Sequence, residues 1–278
     1  MNKMSKPVLL FLIVGITFLY IPLVSLVITS FSESDVPGVW THFSLKWYTA
    51  VFQDRDLIEA AFMSVKIAII SATVTVVLGV LAAMAVTSDD KFFSKKLLKN
   101  AILIPVIIPE IIIGFSLLML FITTENSIGL KIGHGIIAIV IGHVVLTIPY
   151  AHLTIKSRLS LFDRAIEDAA ANLGAKAFTV FVRIKLPVIL QSIMVGWILA
   201  FALSLDDLVV ASFLSGPGTT TLPILIFSNL RIGITPELNA FAALFMGVVA
   251  LCTIPAFISL RNIGKRSGAL QNSDVDAS

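Results

Sequence analysis

About six stretches of this chain are long and apolar enough to cross a membrane: roughly 7–29, 62–87, 98–123, 134–155, 188–213 and 239–260. A span needs about 20 mostly apolar residues at 1.5 Å of rise each. In hydrocarbon every backbone N–H and C=O must find its partner within the protein, so runs of this length fold as helices. Of 278 residues, 57% are hydrophobic and 13% charged, whereas soluble domains carry about 25% charged residues. Mean hydropathy is +0.99. The first stretch exceeds the roughly 7–15 apolar residues of a signal peptide, and no clear small-residue cleavage site follows it, so it reads as a retained span. The expectation is an all-α integral membrane protein.

Fifteen of the 20 Lys and Arg fall in one set of segments: the N-terminus, the 88–99 loop, the 156–187 loop and the tail from Arg261 onward. The alternate loops carry four: Lys46, Arg55, Lys131 and Arg231. Lys66 is expected near a span end, where its ammonium can snorkel. Basic residues accumulate on the cytoplasmic side, which places both termini and the 156–187 loop there. The pI near 9.0 therefore reports membrane orientation, not a nucleic-acid partner. The single cysteine, Cys252, lies in an apolar stretch, so neither an internal disulfide nor a Cys-based metal site is expected. His42, His134, His143 and His152 show no metal-ligand spacing, and no metal is expected.

The chain divides into residues 1–61 (first span, outer loop and an interfacial helix), a core of residues 62–260 and a polar tail, 261–278. The first outer loop holds Asp35, Trp40, Trp47, Tyr48, Asp54, Asp56 and Glu59, and its aromatics suit a helix lying at the membrane surface. Ser215 to Pro223, S-G-P-G-T-T-T-L-P, reads as a structured turn region.

Acids interrupt two spans. Glu110 lies in I-P-V-I-I-P-E-I-I-I-G, roughly 20 Å along the third span by helical rise. Asp206 and Asp207 lie toward the outer end of the fifth. A carboxylate at such depth is costly unless paired or wetted, so these three are candidates for a substrate pathway, with a protonated structural acid or a kink cap as the alternatives. Pro105, Pro109 and Gly114 weaken the helix around Glu110; broken backbone is tolerated where it lines a cavity or is packed in protein. His143 reads as a hydrogen-bonded interhelical residue. Prolines 105, 109, 149 and 255 mark kinks, and Gly79, Ala82, Ala83 and Ala85 suit close helix packing.

The 156–187 loop contains a polar island, Asp163 to Pro187. Asp163 is placed to cap a helix. Ile166, Ala169, Ala170 and Leu173 follow helical spacing and form an apolar stripe. Gly174 falls at the helix stop. Phe178, Phe181 and Val182 form a second short apolar run, and the next membrane helix is expected to start at Leu186-Pro187. Two short amphipathic helices on one side of a bilayer are a surface for a soluble partner.

The island closely resembles the cytoplasmic loop of ABC-importer permeases, whose pattern is E-A-A, three residues, Gly, nine residues and I-x-L-P. Asp168-Ala169-Ala170, Gly174, Ile184, Leu186 and Pro187 match it with the spacing intact. Asp168 stands where Glu is usual, and Glu167 supplies an acid just before it. Ser204 to Pro223, F-L-Y-I-P-L near Phe18 and Pro236 to Ala240 resemble the spermidine/putrescine permease subfamily. The resemblance implies a type I permease fold of about six transmembrane helices. It implies a bacterial inner-membrane location, a second homologous permease, two ATPase subunits and a periplasmic polyamine-binding protein. ATP and Mg would bind those ATPase subunits, with no cofactor on this chain. The coupling residues would be Glu167, Asp168, Ala169, Ala170, Gly174, Ile184, Leu186 and Pro187. Glu110, Asp206 and Asp207 would meet the ammonium groups of a polyamine, and Phe115, Tyr150 and Phe201 its methylenes.

The chain has no G-x-x-x-x-G-K-[ST] phosphate loop, so it is not itself the ATPase. No catalytic constellation is present. An ABC permease for another cargo, such as ferric iron, sulfate or an opine-like cation, stays open; the buried acids count against an anion. A cation-coupled secondary transporter also stays open, but leaves the island unexplained.

Overall fold

A computed structural model describes residues 5–88, 95–129, 132–233 and 235–247. The expected end of the sixth span, Cys252, Pro255 and the tail lie outside the described residues, as do Lys3, Lys91 and Lys131. Helix is the dominant structure among the described residues. One isolated antiparallel bridge joins Ser32 and Phe43.

The chain forms two compact units, Met1–Arg55 with Asn229–Ser278, and Asp56–Ser228. In the first, α1 (Lys6–Thr29) passes through Pro22 without ending. Its apolar side chains face outward, with Phe11 83% and Phe18 75% exposed, as a helix surrounded by lipid or another chain requires. After it, Phe31 stacks on Phe43 at 5.6 Å and makes a tilted ring contact with Tyr48 at 5.0 Å. Tyr48 belongs to α2 (Lys46–Gln53), the short helix expected in the outer loop. Residues 236–247 form α12, the start of the sixth apolar stretch.

The second unit holds most of the core. Its helices are α3 (Arg55–Thr87), α4 (Lys95–Ile107), α5 (Glu110–Ile128), α6 (Ile136–Leu159), α7 (Arg164–Asn172), α8 (Ala177–Val180), α9 (Leu186–Asp206) and α10 (Val209–Leu214). The last, α11 (Leu222–Ile232), runs into the first unit. Five described helical segments are long and apolar enough to cross a membrane. Close approach depends on small residues. A Cβ on Gly79 of α3 would lie 3.3 Å from that of Ala151 on α6, and one on Gly196 of α9 would lie 3.0 Å from Thr154 Oγ1. Without lipid-excluded hydrophobic drive, van der Waals contact between such backbones is what holds membrane helices together. One buried cluster centres on Ile67, Phe121, Ile139, Val210 and Leu214, a second on Val80, Ala83, Ile155 and Ile189.

Several expectations change. The second span starts at Arg55, so Lys66 sits a third of the way along a 33-residue helix instead of near its end. The third span is two helices. Pro109 has no N–H to give and disfavours helical backbone at Ile108; it turns extended (φ −56°, ψ 137°) and α5 restarts at Glu110. Pro105 and Pro149, by contrast, are carried inside α4 and α6. The fifth span also breaks, at Asp207, and its helix starts earlier than Leu186: residues Ala177–Asp206 form one segment. Pro187 cannot bond the carbonyl four residues back, and Phe181–Lys185 takes a wider π turn immediately before it. The region after Pro223, read with the outer loop, is helical as α11.

Candidate functional site

Two places carry the chemistry. The first is the pair of helix breaks. Glu110 occupies the first turn of α5 and is exposed. It lies within electrostatic reach of Asp207 and Asp206. The three carboxylates picked out along the chain therefore converge, although nearly a hundred residues separate Glu110 from the other two. Packing of α10 against α5 and α6 brings them together. A Cβ on Gly114 would meet Phe213 Cδ2 at 2.8 Å, and one on Gly142 would meet Leu214 Cδ1 at 2.6 Å.

The neighbouring aspartates differ. Asp206 ends α9 and is exposed, whereas Asp207 is 6% exposed. Asp207 turns extended (φ −70°, ψ 121°), and its carboxylate accepts the Ala211 N–H at 2.7 Å and the Val210 N–H at 3.3 Å. It therefore caps α10. It also meets His143 Nε2 at 3.1 Å, and His143 Nδ1 meets Ser204 Oγ at 2.6 Å. His143 is thus the interhelical residue its sequence context suggests. Ser204 went unnoticed as its partner, though it lies one turn before the aspartates in L-S-L-D-D.

The expected aromatic surface is dispersed. Phe115 is half exposed and makes an edge contact with Phe213 at 6.4 Å, beside the α5–α10 packing. Tyr150 lies on α6, about 10 Å beyond His143 by helical rise. Phe201 stacks on Trp197 at 5.2 Å, and Trp197 Nε1–H donates to Thr73 Oγ1 at 3.2 Å. Trp197 is an aromatic that sequence reasoning passed over; its spacing of four from Phe201 on one helix was the available signal.

The second place is the island. Asp163 Oδ1 accepts the Ala165 N–H at 2.9 Å, capping α7. At the other end Gly174 takes φ +83°. The Gly174 N–H donates to Ala171 O and the Ala175 N–H to Ala170 O, the paired closure of a Schellman stop. Ile166 and Leu173 of the apolar stripe are 49% and 89% exposed, and Phe178 is 76% exposed. This stripe is therefore not used by the chain's own core. Asp168 and Ala169 are exposed, while Ala170, Ile184 and Leu186 are half-buried. Glu167 is committed within the chain, accepting from Lys185 Nζ at 2.7 Å. These two line a cavity of about 630 Å³ with Ser88, Ser160, Phe162 and Asp168. Among the described residues no group of His, Cys, Asp or Glu could hold a metal ion.

A multi-pass permease of the type I ABC-importer fold is the class that these broken, closely packed helices and the projecting island define. Residues 75–268 match the family described as the binding-protein-dependent transport system inner membrane component, and the chain belongs to that family. It is 42% identical over 240 residues to the putrescine transport system permease protein PotI of Escherichia coli K12, covering 86% of this chain and 85% of that protein. It is 37% identical over 253 residues to the spermidine/putrescine transport system permease protein PotC of Haemophilus influenzae, covering 91% and 96%. Its fold is similar to a solved bacterial ABC transporter involved in the import of the acidic polysaccharide alginate. That match has a TM-score of 0.73 at 17% identity and covers 92% of this chain and 94% of the other.

Proposed function

We propose that this chain is one permease subunit of an ATP-driven importer of polyamines, putrescine foremost, and forms half of its translocation pathway. The convergence of Glu110, Asp206 and Asp207 at two helix breaks carries this reading. A polyamine is a chain of methylenes between ammonium groups. Glu110 and Asp206, both exposed, offer carboxylates to those ammoniums. The C-terminal end of α9, where Asp206 sits, adds the negative end of a helix dipole. Affinity there stays modest, since cargo must leave as well as enter. Identity to permeases named for putrescine and spermidine supports the cargo class.

The remaining parts follow the family architecture. A second, related permease completes the pathway, two ATPase subunits bind ATP and Mg below, and a periplasmic binding protein delivers cargo from above. The termini and the island face the cytoplasm. The stripe Ile166, Ala169, Ala170 and Leu173, exposed except at half-buried Ala170, seats in a groove of an ATPase subunit. Closure of the ATPase pair moves α7, and the continuous helix from Ala177 to Asp206 carries the motion from the island to the acids. The chain itself hydrolyses nothing.

The test is ATPase activity of the complete complex in lipid nanodiscs, with its binding protein loaded in turn with putrescine, spermidine and an unrelated cargo. Stimulation by a loaded amine is expected. Stimulation by the unrelated cargo alone removes the polyamine assignment.

A further inference from the structure

We propose that His143 is a positioning residue that holds Asp207 as the cap of α10 and thereby leaves Asp206, not Asp207, to meet a cationic cargo. The inference rests on the import reading above, and concerns how two adjacent acids divide the work.

The geometry gives each Asp207 oxygen a partner. Oδ1 accepts from Val210 N–H, and Oδ2 accepts from Ala211 N–H and faces His143 Nε2. Both side chains of the His143–Asp207 pair are nearly inaccessible, at 1% and 2%. An ionised carboxylate only accepts, so the proton between them belongs to Nε2. In neutral imidazole Nδ1 is then an acceptor, and the Ser204 hydroxyl donates to it. The line Ser204 to His143 to Asp207 therefore runs from the last turn of α9, through α6, to the break at Asp207, whose carboxylate accepts from the first turn of α10. It ties together the two helices on either side of the break. His143 is itself anchored: Thr147 Oγ1 donates to the His143 carbonyl at 2.7 Å and meets Thr75 Oγ1 of α3 at 2.8 Å.

A carboxylate with this many donors is compensated where it stands, by two backbone amides at a helix N-terminus and an imidazole N–H. An ammonium ion would have to displace a buried partner to reach it. Asp206 differs on each count. It precedes the break and is exposed. At the break Asp207 is buried against His143, while Asp206 stays exposed.

The experiment uses the complete transporter in proteoliposomes, with amine uptake and cargo-stimulated ATPase measured for Asp206→Asn, Asp207→Asn, Asp207→Ala, His143→Ala and His143→Gln. Asparagine at 207 still caps a helix. With its amide oxygen in the place of Oδ2 it still accepts from the Ala211 N–H and from His143 Nε2–H, and gives up only the longer bond from the Val210 N–H. Asp207→Asn is therefore expected to keep uptake within about threefold of wild type, while Asp206→Asn loses about tenfold or more, the scale of a charge-assisted contact. Asp207→Ala and His143→Ala are expected to lose uptake while the complex still assembles, and His143→Gln, which restores a donor, to recover part of it. A loss with Asp207→Asn equal to that with Asp206→Asn, in an assembled complex, would place Asp207 on the cargo and overturn the inference. So would normal uptake by Asp206→Asn or by His143→Ala. Wild-type complex that imports no amine at all would overturn the import reading and this one with it, a result separate from any ranking of the variants.

Discussion

Lys185 Nζ lies 2.7 Å from Glu167 Oε1 and joins α7 to the π turn that leads into α9. Lys185 is the unspecified position of I-x-L-P, and Glu167 precedes the acid of the motif. The pair is internal to the chain and ties α7 of the island to the start of the long helix that follows. Its side chains are 19% and 38% exposed, so its contribution to global stability is small, at most about 1 kcal/mol. The expected defect is in coupling. Glu167→Gln and Lys185→Gln should each lower uptake per ATP hydrolysed, and the charge-reversed double variant Glu167→Lys with Lys185→Glu should regain part of it. Additive losses in that cycle would mean that the pair does not act as a unit.

Gly174 is a position where only backbone freedom explains the residue. At φ +83° nothing lies within 4 Å of the place a Cβ would occupy, so a side chain would fit in space but strain the backbone by about 1–2 kcal/mol. Gly174→Asn, which tolerates this region, should transport better than Gly174→Ala, and Gly174→Asp should uncouple. All three should insert normally, as read by membrane-fraction yield. Equal transport by the three would remove the Schellman stop from the coupling path.

Glu110→Gln keeps the size of the side chain and removes its charge. Polyamine uptake at low cargo should fall about tenfold, the scale of one charge-assisted hydrogen bond, with assembly and basal ATPase unchanged. Unaltered uptake would make Glu110 a structural residue of the α5 start.

Gly142 lets α10 lie on α6. A methyl there would meet Leu214 Cδ1 at 2.6 Å and Val210 Cγ1 at 2.7 Å, both on fully buried residues. Gly142→Ala should therefore destabilise the subunit by about 1–3 kcal/mol through overpacking, seen as a lower unfolding midpoint in detergent. An unchanged midpoint would show that α10 can move aside.

Glu237, in the first turn of α12, titrates above its ordinary value because burial and then the Asp54 carboxylate disfavour its charge. The folded chain holds this proton more tightly than the unfolded one, so stability falls as pH rises from the ordinary to the raised pKa. Glu237→Gln should be more stable than wild type near neutral pH, and the difference should shrink on acidification toward about 4. A difference that grows on acidification would contradict the sign.

Much of the chain's design was legible residue by residue. Asp163, the Ile166–Leu173 stripe and Gly174 mark a capped helix with a glycine stop because caps and stops are local: the groups that bond lie within a few residues. Length and hydropathy identified spans for the same reason, since a helix satisfies its own backbone. The three intramembrane acids stood out because hydrocarbon tolerates so few. Tertiary structure decided what surrounds each of them. Asp206 and Asp207 are chemically identical neighbours, and the helix break together with His143, sixty-four residues away, sends one inward and leaves the other exposed. The same holds for Pro109 and Pro149, one ending a helix and one carried inside, and for Glu167, whose partner is eighteen residues on. Sequence by itself determined which segments are apolar helices and where the capped helix of the 163–187 island lies, because both follow from local bonding and solvent. Packing decided the breaks, the partners and the different burial of the two adjacent acids. Those depend on which surfaces meet, and a buried charge takes its role from whatever donor the fold brings to it.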